Sequence, residues 1–188
     1  MTNSKALFLR KFLDQPKQVG SVLPSSGFLA RSMIGAVPWH EVRSVAELGA
    51  GPGAITRYLM KAMNDGTHAF LFEKDPVMLA MLKQSYGGCI CSANAEQLRR
   101  VIQQLGVSEL DAVVSGLPFY NFSQPIRDQL LHQIECALKP GGRFVAFQYS
   151  LQMRKQLARR FVIEQVRVVP LNFPPAVVYV CGKKEDLR

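Results

Sequence analysis

Short continuous runs of apolar residues alternate along most of the chain with longer segments in which apolar residues recur at helical spacing. A short apolar run predicts a buried strand, and a period near 3.6 residues predicts a helix packed by one face. On this basis we predict strands over 44–49, 69–73, 89–91, 111–115 and 143–149. The helices that separate and follow these strands are predicted over 54–64, 76–82, 95–105, 124–138 and 151–161.

Two further strands, over 162–171 and 177–181, follow the last helix with no helix between them. Alternating strands and helices predict a largely parallel sheet with helices on both faces, and the closing pair predicts an antiparallel hairpin at one edge. The expected fold class is therefore α/β with a seven-stranded sheet. Helices predicted over 4–13 and 28–34 precede the first strand, so we expect an N-terminal helical extension over 1–40 and the sheet domain over 41–188.

The composition is ordinary for a soluble globular domain, with 188 residues of which 48% are hydrophobic and 20% are charged. No apolar run reaches the roughly 18–20 residues needed to span a bilayer. Arg10, Lys11 and Asp14 interrupt the short apolar stretch near the N-terminus, which argues against a signal peptide. We therefore expect a cytoplasmic protein.

The four cysteines do not form a metal-binding pattern, because neither their spacing nor their neighbours suit zinc. They are Cys89, Cys91, Cys136 and Cys181. We expect reduced structural thiols and no metal. Cys89 and Cys91 are expected on one strand, pointing to opposite faces.

The formal net charge of +9 predicts an anionic partner, which would be nucleic acid, an acidic membrane surface or both. Residues 4–13 combine an apolar stripe with Lys5, Arg10 and Lys11. This pattern suits a helix lying in a membrane interface, and equally a helix packed on the domain. A second basic cluster can meet lipid phosphates or nucleic acid, or can simply be solvated; it comprises Arg154, Lys155, Arg159, Arg160 and Arg167.

A glycine-rich turn follows the first strand and precedes a helix, which is the arrangement of a nucleotide-binding unit. Its pattern, Glu-x-Gly-x-Gly-x-Gly, differs from the dinucleotide pattern and resembles motif I of the S-adenosylmethionine-dependent methyltransferases. The resemblance implies the Rossmann-like methyltransferase sheet and S-adenosyl-L-methionine as cofactor. It places the cofactor against Glu47, Gly49, Ala50, Gly51 and Gly53.

The ends of the second and third strands carry further cofactor candidates, because ligands of such sheets bind beyond the carboxyl ends of the strands. Glu73 matches the acidic residue of methyltransferase motif II, and its carboxylate can accept hydrogen bonds from both ribose hydroxyls. Lys74 follows Glu73 and can project to solvent. Asn94 stands where many methyltransferases carry an aspartate for the adenine amino group, and Ala95 leaves the next backbone amide open to the adenine ring.

The residues after the fourth and fifth strands occupy the usual methyltransferase substrate position. Adenine methyltransferases read Asn/Asp-Pro-Pro-Tyr or Asn-Leu-Pro-Tyr there, whereas this chain has Gly116 in place of the amide residue, which argues against a nucleobase acceptor. Backbone groups of Ser115 and Gly116 are candidates for holding an amine, and Ser115 also for contacting the cofactor. Tyr120 and Tyr149 can hold a methylated ammonium by cation–π attraction.

Several longer motifs resemble the bacterial phospholipid N-methyltransferases, over most of the chain from about Phe12 to Tyr179. They are Val19-Gly20-Ser21-Val22-Leu23-Pro24-Ser25-Ser26, the glycine-rich turn, Val113-Val114-Ser115-Gly116-Leu117-Pro118, Lys139-Pro140-Gly141-Gly142 and the ending Asn172-Phe173-Pro174-Pro175 onwards. The resemblance implies methylation of the phosphatidylethanolamine headgroup. It also implies a cytoplasmic enzyme held at the inner membrane by contact between its N-terminal helix and anionic lipid.

Three alternative functions remain open on the sequence. A nucleic-acid adenine methyltransferase shares the fold and suits the basic charge, although Gly116 opposes it. A methyltransferase of another small amine or of a quinone-like lipid is the second alternative. A membrane-binding module without activity is the third, although such a module would not need an intact cofactor turn.

Overall fold

The computed structural model describes residues 26–184, which form one seven-stranded sheet covered by helices on both faces. The strands are β1 (Ser44–Leu48), β2 (His68–Phe72), β3 (Ile90–Ser92), β4 (Leu110–Ser115), β5 (Leu138–Gln148), β6 (Phe161–Val169) and β7 (Ala176–Lys183). The helices are α1 (Gly27–Ile34), α2 (Thr56–Ala62), α3 (Pro76–Ser85), α4 (Leu98–Gln103), α5 (Gln124–Ala137) and α6 (Arg154–Arg160). Single 3₁₀ turns lie at Trp39–Glu41, Ala95–Gln97 and Phe119–Asn121.

The strand order is β3-β2-β1-β4-β5-β7-β6, with β1 to β5 parallel and β7 antiparallel to both of its neighbours. The predicted α/β class, the seven strands and the closing hairpin are thus confirmed. All five parallel strands end at the same edge, which we call the carboxyl edge. The chain order reverses between β1 and β4, and ligands of doubly wound sheets bind at such a point.

Alternate residues of the central strands pack into two apolar layers, because successive side chains of a strand point to opposite faces. On one face Leu48, Phe70 and Phe144 pack against α4, α5 and α6. On the other face Val45 and Val145 pack against α1 and α2. Helix α1, the described part of the predicted extension, therefore shares a core with the sheet domain.

Several element boundaries differ from the predicted ones for local reasons. Strand β5 begins at Leu138 rather than at residue 143, because Leu138 already pairs with Leu110 before the chain bulges between Lys139 and Gly142 and pairing resumes at Arg143. Strand β6 ends at Val169, and the next residue is Pro170, which has no N–H to donate to a ladder. The helix predicted over 4–13 lies outside the described residues.

Cys89 and Cys91 are not on opposite faces, so that expectation is wrong. Both are packed against the same cluster around Leu71 and Leu82. The physical reason is the two-residue period of a strand, which brings residues i and i+2 to one face. All four cysteines are free thiols. Within residues 26–184, no helix has the length and apolar character that crossing a bilayer requires.

Candidate cofactor and methyl-acceptor site

The turn after β1 depends on glycine at three positions. Gly49, Gly51 and Gly53 have φ angles of +74°, +55° and +83°, a region that residues with a Cβ rarely adopt. Hydrogen bonds from the Gly49 and Ala50 amides to the Phe72 carbonyl, at 2.8 and 3.0 Å, fix the turn to β2. Apart from the two chain neighbours of Gly51, no atom of residues 26–184 lies within 4 Å of the place where its Cβ would stand, so this side of the turn is open to a ligand among the described residues.

Glu73 lies directly after β2 and is held against the same turn. Its Oε2 accepts a 2.7 Å hydrogen bond from the Gly51 amide, and its Oε1 accepts a 2.8 Å bond from the Asp75 amide. Each carboxylate oxygen keeps a second lone pair for another donor. Burial raises the pKa of Glu73, and the bonds from the Asp75 and Gly51 amides partly offset this.

Glu47 lies on β1 beneath the turn and is completely buried. Neither of its carboxyl oxygens has a hydrogen-bond partner among the described residues, and the buried hydroxyl of nearby Thr56 has none either. Burial raises the pKa of Glu47 to about 8, with Thr56 opposing the rise and the charge of Glu73 adding to it. Without a ligand this carboxyl is therefore mostly protonated at neutral pH.

Tyr86, which the sequence analysis did not single out, lines the turn from the end of α3. A Cβ on Gly53 would lie 3.1 Å from the Tyr86 hydroxyl. Burial raises the pKa of Tyr86, and the nearby charge of Glu47 adds to the rise. No motif surrounds Tyr86, so only the packing of α3 against the turn reveals its place.

The predicted adenine end lies beside Glu73, because β2 and β3 are paired and the Glu73 amide donates a 3.0 Å hydrogen bond to the Ser92 carbonyl. Asn94 is exposed and caps the following 3₁₀ turn, with its Oδ1 accepting a 2.8 Å bond from the Glu96 amide. Ala95 is half-buried, and Lys74 is exposed. The structure thus brings Asn94 and Ala95 to the carboxyl edge next to Glu73, and the roles given to them and to Lys74 stay predictions.

The end of β4 touches the glycine turn. The Gly116 amide donates a 2.8 Å hydrogen bond to the Leu48 carbonyl, and a Cβ on Gly116 would lie 2.9 Å from the Gly49 carbonyl oxygen. Close packing against Gly49 therefore explains why position 116 is a glycine. Ser115 is buried beside it, and its Oγ accepts a 3.2 Å bond from the Leu117 amide, which shapes the loop after β4.

A cavity of about 250 Å³ opens between the ends of β4 and β5. Both tyrosines predicted for the acceptor line it, and the other described residues of its wall are uncharged. The wall includes Gly116, Tyr120, Asn121, Gln148, Tyr149 and Ser150. The Tyr120 side chain is 53% exposed, and the Arg127 guanidinium lies 5.9 Å from its ring centroid. The Tyr149 ring packs edge-on against Phe147 with centroids 5.6 Å apart.

Gln148, a second residue that the sequence analysis missed, joins the two walls of this cavity. It is buried at the end of β5, and its Nε2 donates a 2.9 Å hydrogen bond to the Leu117 carbonyl in the loop after β4. The sequence signal that could have identified Gln148 is a single amide side chain between Phe147 and Tyr149 in an otherwise apolar strand. Gln148 thus fixes the distance between the β4 and β5 ends.

Comparison with known proteins identifies the family. The profile of the family described as "Methyltransferase domain" matches residues 45–142, which include the glycine turn, Glu73 and the β4 loop. The chain belongs to this methyltransferase family. A curated relative, the ornithine lipid N-methyltransferase of Singulisphaera acidiphila, is 32% identical over 186 residues, which are 96% of this chain and 97% of the relative.

Two solved structures show the same fold as this methyltransferase. The 1,6-didemethyltoxoflavin-N1-methyltransferase of Burkholderia thailandensis, with bound S-adenosylhomocysteine, superposes with a TM-score of 0.69 at 18% identity, covering 96% of this chain and 89% of that one. The N-methyltransferase NodS of Bradyrhizobium japonicum, also with S-adenosylhomocysteine, superposes with a TM-score of 0.69 at 12% identity, covering 98% and 100% of the two chains. The Rossmann-like methyltransferase fold is thereby confirmed, and the cofactor is S-adenosylmethionine.

The residues of the methyltransferase fit this cofactor on two independent observations. Glu73 offers lone pairs to ribose hydroxyls beside an open glycine turn. The buried carboxyl of Glu47 has no hydrogen-bond partner in residues 26–184, and a cation placed above the turn would compensate its ionised form. When bound, S-adenosylmethionine supplies an electrophilic methyl group on a positively charged sulfur.

The glycine turn and the cavity of the methyltransferase share one wall. Gly116 contacts the Gly49 carbonyl on one side and lines the cavity on the other. An acceptor atom in the cavity is therefore next to the turn, separated from it only by backbone. Such positioning of two reactants side by side accounts for much of the acceleration available to a methyl transfer.

Proposed function

We propose that the methyltransferase methylates the amine of a membrane lipid headgroup, with phosphatidylethanolamine or its methylated derivatives as acceptor. The observation that carries the proposal is the uncharged cavity beside the cofactor turn, with the aromatic rings of Tyr120 and Tyr149 in its wall. The ornithine lipid acceptor named for the curated relative is also a lipid with an amine, and it is the second acceptor to test.

The proposed reaction requires the neutral amine, because only the unprotonated nitrogen has a lone pair. The nitrogen lone pair forms the new N–C bond, the S–C bond to the transferred methyl breaks with its electron pair remaining on sulfur, and the amine proton leaves to water. The cavity wall contains no Asp, Glu, His, Lys or Arg within the described part of the chain, so it favours loss of the ammonium charge. Asn121 and Gln148 supply polar groups for orienting the amine.

The cavity also suits the methylated product. A quaternary or tertiary ammonium has few or no N–H donors, and aromatic faces attract it without a hydrogen bond. Tyr120 and Tyr149 provide two such rings in one wall. The described wall contains no carboxylate, so it supports release of such a cation, since no ion pair with these residues has to be broken.

We place this reaction at the surface of an anionic membrane on its cytoplasmic side. The net charge of +9 supports attraction to anionic lipid. The apolar and basic pattern of residues 4–13 supports an interfacial helix, although that segment lies outside the described residues. Nucleic acid remains the alternative anionic partner, and the missing amide at Gly116 argues against methylation of its bases.

The deciding experiment supplies methyl-labelled S-adenosylmethionine to the purified protein with three acceptors in parallel. The acceptors are phosphatidylethanolamine vesicles, ornithine lipid vesicles and total RNA. Label in the lipid extract supports the proposal, and its distribution between the two lipids identifies the acceptor. Label in RNA alone overturns it. The Glu73→Ala variant is the control, because cofactor-dependent label in any arm should fall with it.

A further inference from the structure

The loop that joins β6 to β7, residues 170–175, lies at the carboxyl edge beside the acceptor cavity. The reason is the antiparallel pairing of β7 with β5, in which Val177 is the partner of Gln148. Gln148 lines the cavity and lies about one strand spacing, roughly 5 Å, from Val177, and the loop ends two residues before Val177. Two large apolar side chains of this loop face solvent, Leu171 with 65% and Phe173 with 78% of its surface exposed.

A buried asparagine holds this loop in place. The Asn172 Oδ1 accepts a 3.1 Å hydrogen bond from the Ser26 amide, and its Nδ2 donates a 2.8 Å bond to the Pro174 carbonyl. Leu171 and Phe173 therefore flank a fixed point rather than a loose tip. The same bond ties the loop to the first turn of α1, where Phe28 is 50% exposed.

Three arginines lie on α1 or next to it. The Arg31 guanidinium lies 4.9 Å from the Phe28 ring centroid, and Arg57 lies 5.0 Å from the ring centroid of neighbouring Tyr58. The Arg167 Nη1 donates a 3.3 Å bond to the Ser32 carbonyl on α1. Within residues 26–184 none of these arginines forms an ion pair with a carboxylate.

We propose that this surface docks the enzyme on an anionic lipid bilayer, with the carboxyl edge facing the membrane. The docking surface consists of Phe28, Leu171 and Phe173 with Arg31, Arg57 and Arg167. Apolar side chains enter the boundary between headgroups and acyl chains, and arginines meet lipid phosphates. The inference rests on the proposed function and extends it, because it places the Tyr120 and Tyr149 cavity at the headgroup level.

The positive charge of this surface favours a bilayer as its occupant over a second copy of the chain or the preceding segment of the same chain. A second copy of the chain would bring the same three arginines against these three. The preceding segment of the chain carries Lys5, Arg10, Lys11 and Lys17 against a single acidic residue, Asp14. An anionic surface is the occupant whose charge is opposite to that of the docking surface.

A tryptophan placed on the loop reports contact with lipid directly. We propose Phe173→Trp, with Leu105→Trp as the matched control, because Leu105 is 51% exposed in the connection before β4, at the opposite edge of the sheet. The signal of the native Trp39 is subtracted with unsubstituted protein. The probes are phosphatidylglycerol vesicles, phosphatidylcholine vesicles and phosphatidylglycerol vesicles containing brominated lipid.

The expected result is a blue shift of the Phe173→Trp emission with phosphatidylglycerol vesicles, and roughly a halving or more of its intensity by brominated lipid. Leu105→Trp should change in neither respect. Emission of Phe173→Trp that stays unchanged while the protein sediments with the vesicles overturns the docking surface. A short-wavelength emission maximum of Phe173→Trp in the absence of vesicles would show that another part of the protein covers this residue. That result would equally overturn the docking surface. The labelling assay with dispersed lipid tests the proposed function separately, so lipid methylation with an unchanged spectrum rejects only the docking surface.

Discussion

The carbonyl oxygen of Gly49 lies 2.9 Å from the position that a Cβ on Gly116 would occupy. These two residues, 67 positions apart in the chain, bring the cofactor turn and the acceptor loop into backbone contact. A side chain at position 116 would push the ends of β1 and β4 apart between the glycine turn and the cavity. The glycine that argued against a nucleobase acceptor thus also sets the spacing of the site.

We expect Gly116→Ala to lose about 1–3 kcal/mol of unfolding free energy, because the neighbouring atoms are backbone and cannot move aside cheaply. Gly87→Ala is the matched control, since nothing lies within 4 Å of its Cβ position and its φ is not positive. Urea unfolding of both variants measures the effect. Equal stability of the two variants would show that the β1 and β4 turns can separate, contrary to the geometry described.

Glu47 should make stability depend on pH. Burial raises its pKa from 4.5 to about 8, so the folded protein binds this proton more tightly than the unfolded chain does. The contribution of Glu47 to the unfolding free energy is then fully present below about pH 4.5 and is lost as the pH rises towards 8, by on the order of a few kcal/mol.

Glu47→Gln removes this titration and should flatten the pH dependence of stability over the same interval. Denaturant unfolding of both proteins at pH 5, 6, 7 and 8 measures the difference. The variant should gain stability relative to the unsubstituted protein at each step upward in pH. Two parallel curves would show that Glu47 does not titrate with a raised pKa.

Glu73→Ala should weaken S-adenosylmethionine binding by about 1–3 kcal/mol, because hydrogen bonds from the ribose hydroxyls to a carboxylate are lost. The substitution also frees the Gly51 amide, whose 2.7 Å bond to Glu73 holds the turn. Calorimetric titration of the cofactor measures the change, and Glu109→Ala, an exposed glutamate just before β4, is the control. Affinity equal to that of the control would remove Glu73 from the ribose role.

The sequence predicted the fold well because the strands carry their own signals. Each central strand is a short and mainly apolar run, and Pro76 and the glycine turn mark the helices that follow β2 and β1. The predicted element boundaries were wrong where pairing between strands determines them. Leu138, for example, belongs to β5 only because Leu110 lies beside it.

The candidate site could be predicted only where a residue belongs to a local motif. Glu47 lies near the end of β1, and Glu73 and Gly116 directly follow β2 and β4, each in a recognisable pattern. Tyr86 and Gln148, in contrast, reach the site from an unremarkable helix end and from inside an apolar strand. The contact between Gly116 and Gly49 depends on β1 and β4 being neighbours, which strand order alone reveals. When strand order brings two side chains together, the spacing of these residues in the sequence does not predict their contact.

Tyr120 should contribute to binding of the methyl acceptor and not to binding of the cofactor. Its ring lines the cavity and is more than half exposed, so truncation should not disturb the core. We expect Tyr120→Ala to raise the KM for the lipid amine about two- to thirtyfold, since a cation–π contact contributes about 0.5–2 kcal/mol. Tyr120→Phe keeps the aromatic face and should stay close to the unsubstituted enzyme.

The two Tyr120 variants separate the ring from its hydroxyl. Initial rates with increasing lipid amine give the KM, and calorimetry with S-adenosylmethionine gives the cofactor affinity, which should be unchanged in both. If Tyr120→Phe were as impaired as Tyr120→Ala, the hydroxyl and not the aromatic face would be what the amine contacts. A fall in cofactor affinity would instead place Tyr120 on the donor side of Gly116, where the cavity geometry does not put it.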